Sequence, residues 1–403
     1  MRTIALSLSL AVSALVSSSV LAQAPDDDAK IIRGRYQAVL ADCAACHTKP
    51  GGASLAGGAP LQTPFGELVP PNITPDEETG IGSWTAADFR RAMKEGIGHD
   101  GKRLYPAMPY PAYTKMSDQD IDALWSYIRT VEPVHNPVEA NQLPFPFNIR
   151  LVMLGWNMVN FEPGDFRPDP NRSEEWNRGA YIVQAAGHCG TCHSPKSLLG
   201  ADKGDEALQG ASLQGWYAPN ITGNSYLGIG SWSEDEIVAY LKTGQNAHSI
   251  ASGPMREAVQ ESTSRMNDAD LKAIAVYLKS TEGGETQKPQ PIAAEDPHMR
   301  AGAMIYHDTC SACHRADGTG GRQLFPALAG SPLVQQPSAE TLTHVVLNGS
   351  QGAATPEART TPAMPSFAWR LDDQQVADVL TYNRNSWGNA APPVTADDVK
   401  AQR

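Results

Sequence analysis

All six cysteines of this 403-residue chain fall in three copies of C-x-x-C-H. They are Cys43, Cys46 and His47, then Cys189, Cys192 and His193, then Cys310, Cys313 and His314. Each copy offers two thiols spaced to form thioethers with the two vinyl groups of one haem, followed by an imidazole able to ligate its iron. The chemistry implied is one-electron transfer through three covalently bound haem c groups. A zinc site would want four ligands at each place, and a redox disulfide gives no reason for a histidine after every second cysteine.

Spacing supplies the sixth iron ligand. A methionine thioether is a weak donor that favours ferrous iron and raises the potential of a low-spin carrier. The only methionine after the third motif is Met364, 50 residues beyond His314. In the first repeat Met93, Met108 and Met116 compete, and in the second Met255 and Met266. His47 to Met108 spans 61 residues and His193 to Met255 spans 62, whereas Met116 and Met266 would need 69 and 73. Duplicate spacing therefore selects Met108 and Met255, and leaves Met116 and Met266 as apolar staples before helix caps. The remaining histidines, His99, His135, His188, His248, His298, His307 and His344, show no matching positions across the repeats and read as surface or hydrogen-bonded residues. With no phosphate loop or Ser-His-Asp arrangement, the expected catalytic residues are none, and the chain is not an enzyme on its own.

These ligands need a scaffold, and the sequence shows it as a duplication. Asn72-Ile73-Thr74 and Asn220-Ile221-Thr222 lie 148 residues apart, as do Gly80-Ile81-Gly82-Ser83-Trp84 and Gly228-Ile229-Gly230-Ser231-Trp232. Asn-Ile-Thr matches a glycosylation sequon, but its recurrence at one offset marks a haem-side loop instead. The third repeat lacks both elements. Its Asp317-Gly318-Thr319-Gly320 and Phe325-Pro326-Ala327-Leu328-Ala329-Gly330 look like an ordinary small cytochrome c.

Each repeat closes with a helix, capped by Ser117, Asn267 or Asp372 and carrying a tyrosine ten residues on: Tyr127, Tyr277 and Tyr382. Each opens with a helix holding Gly34 and Tyr36, Gly179 and Tyr181, or Gly302 and Tyr306. A helix leading into C-x-x-C-H and another packing across it describe an all-α chain of three tandem class I cytochrome c domains. The expected boundaries are a signal peptide over 1–24, haem domains over 29–135, 173–282 and 297–388, a connector over 136–172, a linker over 283–296 and a polar tail over 389–403.

Arg2, the apolar Ser- and Ala-rich stretch from Ile4 to Leu21, and Ala22-Gln23-Ala24 form a secretory signal peptide, cleaved after Ala22 or Ala24. Export suits covalent haem attachment and points to the periplasm. Lys and Arg total 32 against 44 Asp and Glu, a net charge of −12. Cleavage removes only Arg2, so the mature chain is one unit more negative and nucleic acid is excluded as a partner. Gly 35 and Pro 31 mark a loop-rich protein. From Leu143 the chain runs into an apolar helix-like stretch, Ile149 to Phe161, too short to cross a bilayer. It suits a monotopic membrane contact or a connector buried between the first two domains.

Further residues carry a family resemblance. Gly187-His188-Cys189-Gly190-Thr191-Cys192-His193, Gly215-Trp216-Tyr217-Ala218-Pro219-Asn220-Ile221-Thr222, Tyr240-Leu241-Lys242-Thr243-Gly244, Ala273-Ile274-Ala275-Val276-Tyr277-Leu278-Lys279 and Tyr105-Pro106-Ala107-Met108-Pro109-Tyr110 resemble the triheme cytochrome c subunit of bacterial membrane-bound dehydrogenases. The resemblance covers essentially the whole mature chain. It implies a subunit that takes electrons from a quinoprotein or flavoprotein catalytic subunit and passes them to ubiquinone at the periplasmic face of the cytoplasmic membrane. A freestanding periplasmic electron shuttle is the alternative. Some members end in a hydrophobic tail, which the polar stretch Ala390 to Arg403 does not match.

Overall fold

The computed structural model describes residues 24–284, 288–321 and 324–403. The expected signal peptide lies outside the described residues except for Ala24. The chain is predominantly helical, with three short two-stranded antiparallel hairpins among the described residues.

One crossing is built three times. Helix Ala24–Leu40 packs on Asp118–Ile128, Glu174–Tyr181 on Asp268–Ser280, and Pro297–Ile305 on Asp373–Arg384. The closing helices start where their caps predict, with the side chains of Ser117, Asn267 and Asp372 accepting from the backbone N–H three residues on. Glycine sets the closeness of each crossing. A Cβ at Gly34 would stand 1.9 Å from the Ala123 carbonyl oxygen, at Gly179 1.9 Å from that of Ala273, and at Gly302 2.1 Å from that of Asp378. The same glycines lie against the Cβ atoms of Tyr127, Tyr277 and Tyr382, so the Gly and Tyr pattern in the sequence is this contact.

The hydrophobic cores do not follow the three repeats. One continuous cluster runs from Leu40, Phe89 and Leu124 in the first repeat to Ile182, Ile237 and Leu271 in the second. The third repeat has its own core of Leu347, Leu371, Val376, Leu380, Val394 and Val399. A small cluster of Ala251, Val259 and Ala353 joins it to the second. Residues 389–403, read from sequence as a polar tail, fold onto the third repeat. Ala390, Ala391, Val394 and Val399 are buried there, and Arg403 donates to Asp373 and to the carbonyls of Ala368 and Leu371. Their apolar residues are too sparse to stand out by composition.

The connector wraps the first repeat. Gln142 pairs with Glu67 beside the hairpin of Leu61–Thr63 and Gly66–Leu68, and Asn157 accepts from the Tyr110 hydroxyl. Helix Val152–Asn160 buries Met153 but leaves Leu151 72%, Met158 81% and Val159 77% exposed. No helix among the described residues is long and apolar enough to cross a membrane.

Candidate haem centres

Each C-x-x-C-H forms a short helix ending at its histidine: Cys43–His47, Gly190–His193 and Ser311–His314. Two contacts then fix each histidine. Its carbonyl accepts from a glycine N–H, Gly57 at 2.9 Å, Gly210 at 2.7 Å and Gly320 at 3.0 Å. All three glycines have positive φ, 115°, 94° and 65°, a conformation that turns the loop back over the motif and that side-chain-bearing residues rarely adopt. The second contact is at the ring. Nδ1 lies 2.7 Å from the Pro71 carbonyl oxygen for His47, 2.7 Å from that of Pro219 for His193, and 3.0 Å from that of Pro326 for His314. A carbonyl can only accept, so Nδ1 carries the proton and Nε2 presents its lone pair. Burial lowers the pKa of all three imidazoles and keeps them neutral.

The donor set fits a covalently attached haem. Neutral imidazole with a free Nε2 is the form that ligates iron, and its ring is oriented by the bond at Nδ1. The six cysteines form no disulfides. Burial pushes the Cys43 and Cys189 thiols up to about 12, the reverse of the thiolate needed for redox or metal-thiolate chemistry. Thioether sulfurs carry no charge and suit that surrounding. No cluster of three or more His, Cys, Asp or Glu suited to a separate metal ion exists among the described residues.

The Asn-Ile-Thr loops follow the clamping prolines directly. Asn72 Oδ1 accepts from the Thr74 backbone and hydroxyl, and Asn220 Oδ1 does the same for Thr222. Both pairs are buried, so the sequons are buried structural brackets directly after the clamping prolines. Sequence reading assigned the clamp to none of these residues: Pro219, Gly320 and Pro326 stood in quoted motifs without that role, and Pro71, Gly57 and Gly210 were not singled out. For the first two repeats the signal was there, since Pro71 and Pro219 share the offset of 148.

The methionines differ in burial. Met116 and Met266 are 0% and 3% exposed in the core, their carbonyls taken by Lys94 and Lys242. Met93 is also core. Met108, Met255 and Met364 are half-buried, in a turn, in the first turn of helix Gly253–Glu261 and in strand Ala363–Met364 respectively.

Two histidines correct the expectation of no matching positions. His99 stacks on Trp84 and meets Asp88 at 2.9 Å, while His248 stacks on Trp232 and meets Glu236 at 3.0 Å. They are equivalents hidden by a one-residue shift in offset. His188 packs edge-on against Tyr113 with Nε2 3.4 Å from the Ala41 carbonyl, and burial holds it neutral.

The sequence pattern of the family described as Cytochrome c matches residues 32–132, 177–282 and 299–387. Over 90% of its length the chain is 43% identical to a nicotinate dehydrogenase subunit of Pseudomonas putida, but spans only 31% of that protein. It is 39% identical to the gluconate 2-dehydrogenase cytochrome c subunit of Pantoea cypripedii, covering 96% of this chain and 92% of the relative. It is also 39% identical to the cytochrome c subunit of quinone alcohol dehydrogenase from Gluconacetobacter polyoxogenes, covering 98% and 89%.

Proposed function

We propose, from the premise that this chain belongs to the cytochrome c family, that it is the triheme electron-transfer subunit of a dehydrogenase complex. It would accept electrons from a separate quinoprotein or flavoprotein catalytic subunit and pass them to ubiquinone. The observation that carries this reading is the histidine clamp, built three times, in a chain that aligns nearly end to end with cytochrome c subunits of gluconate and alcohol dehydrogenases. Three tandem haem domains follow, over 29–135, 173–282 and 297–388.

Bound haem c supplies a one-electron ferric/ferrous couple. The chain would attach it through Cys43 and Cys46, Cys189 and Cys192, or Cys310 and Cys313, and the residues that would hold its iron are His47 and Met108, His193 and Met255, or His314 and Met364. The proline carbonyls keep Nδ1 protonated and the ring oriented. The purified, haem-loaded chain is expected to show no turnover of alcohols, sugars or sugar acids, yet to be reduced within milliseconds to seconds once its catalytic subunit and substrate are added. Stopped-flow absorbance in the haem α band measures this. Substrate turnover by the chain alone would overturn the reading.

Quinone lies in the bilayer, so this role needs a membrane contact at the periplasmic face. Exposed Leu151, Met158 and Val159, with Leu198 99% exposed on the loop whose Leu199 carbonyl accepts from Trp156 Nε1 at 2.8 Å, offer an apolar surface without a span. Trp156 also packs edge-on to Tyr110, so it belongs to the scaffold. Leu151→Gln together with Met158→Gln is expected to shift the protein from sedimented membranes to the soluble fraction with an unchanged haem spectrum. Retention on membranes depleted of the catalytic subunit would sink this assignment.

A further inference from the structure

Four residues exchange hydrogen bonds between the first and second repeats in a reciprocal pattern that the histidine clamp does not use. Tyr36, on the opening helix of the first repeat, donates at 2.6 Å to Asp270 on the closing helix of the second. Tyr181, on the opening helix of the second, donates at 2.6 Å to Asp120 on the closing helix of the first. Each carboxylate is also held from its own repeat. Asp270 takes both Nε and a terminal nitrogen of Arg178, at 2.7 and 2.8 Å, and Asp120 takes Nε of Arg33 at 2.9 Å. Each tyrosine oxygen accepts in turn from a helix-cap backbone N–H, that of Asn267 or Ser117, both at 3.2 Å. The carboxylates are 7% and 6% exposed, so these are buried, charge-assisted bonds.

A contact in which i meets j and the equivalent of j meets the equivalent of i is isologous, the mark of two-fold pairing. The third repeat has none of its parts. Counted from Gly302 and the Asp372 cap, the positions of the arginine, tyrosine and aspartate hold Ala301, Met304 and Gln375, and Met304 is 69% exposed.

The latch bears directly on the haem motifs. Tyr36 lies on the helix Ala24–Leu40, which the turn of Ala41 and Asp42 joins to Cys43. The Ala41 carbonyl accepts from the Tyr113 hydroxyl at 2.7 Å and faces His188, the residue before Cys189. Helix Gly253–Glu261, which carries Met255, packs beside Cys43–His47.

We propose that Tyr36 and Tyr181 are positioning residues that lock the first two haem centres into one isologous pair, with the third centre outside the lock. This rests on the reading that haem is bound at each motif. In the full-length haem-loaded protein, Tyr36→Phe with Tyr181→Phe should leave haem content unchanged by pyridine haemochrome assay. The two-signed Soret circular dichroism that closely held haems generate should fall at least two-fold, and two of the three midpoint potentials should move while the third stays. Each single variant keeps one latch and should give less than half of the double effect. Tyr306→Phe removes a hydroxyl bonded within the third repeat, to the Arg315 carbonyl at 2.6 Å, and should lower thermal stability without touching the Soret couplet.

An unchanged couplet and unchanged potentials in the double variant would overturn the proposal. Should that variant lose haem, the isosteric pair Asp120→Asn and Asp270→Asn gives the same readout, and an unchanged signal there is equally fatal. Fewer than three haems in the unmodified chain would strike the haem reading instead. Hydrogen exchange then judges the latch by itself: protection of helices Ala24–Leu40 and Asp268–Ser280 should drop in the latch variants and not in Tyr306→Phe, and equal protection would refute it.

Discussion

Gly179→Ala is expected to destabilise the protein by more than about 3 kcal/mol, the upper range for overpacking a well-filled core. The new methyl group would sit 1.9 Å from the Ala273 carbonyl oxygen and 2.8 Å from Tyr277 Cβ. Neither atom is the free end of a side chain, so the two helices must separate. Gly34→Ala and Gly302→Ala should behave alike, because their contacts are equally close. Gly155 is the control. It lies in helix Val152–Asn160 with nothing within 4 Å of its added Cβ, so Gly155→Ala should be neutral or stabilising by up to about 1 kcal/mol. Urea unfolding followed by tryptophan fluorescence measures all four. A Gly179→Ala value within about 0.5 kcal/mol of the unmodified protein would mean that the crossing is not at closest approach.

Why this crossing was legible in the sequence, and other features were not, comes down to range. A cap, a glycine and a tyrosine ten residues on are local signals, and their threefold recurrence turned a weak pattern into a firm one. The three C-x-x-C-H motifs were equally plain, since cysteine and histidine spacing displays them directly. The histidine clamp was only half visible. Pro71 and Pro219 recur at the repeat offset, but a carbonyl oxygen has no residue-type signature, and Pro326 stands 12 residues beyond His314 where the others stand 24 and 26 beyond theirs. The merged core of the first two repeats was invisible. Leu40 and Leu271 each look like the core of their own domain, and only the chain path shows them in one cluster. The Tyr36 and Asp270 contact, spanning 234 residues, is hidden for the same reason. His99 and His248 escaped because a single-residue shift defeats comparison at fixed offset.

The methionines proposed as axial ligands give the second large effect. Met108, Met255 and Met364 sit in a turn, a helix and a strand, so no shared local structure identifies them, and the proposal rests on spacing from the histidines and on partial burial. Met108→Ala should retain covalent haem yet remove one low-spin His/Met signal and lower one midpoint potential. The expected drop is on the order of 0.1 V, within the roughly 0.8 V range that axial ligation commands. Met255→Ala and Met364→Ala should each remove one further signal without moving the others. Met116→Leu is the discriminating control. Its side chain is fully buried and contributes packing alone, so the exchange should cost less than about 1.5 kcal/mol and leave every iron six-coordinate. Near-infrared magnetic circular dichroism reads the methionine ligation band haem by haem. An unaltered band in Met108→Ala, with loss of the band in Met116→Leu, would transfer the ligand to Met116. That outcome would require the helix Asp118–Ile128 to begin at the iron, in conflict with the burial of Met116 in the core cluster that holds Leu40, Phe89 and Leu124.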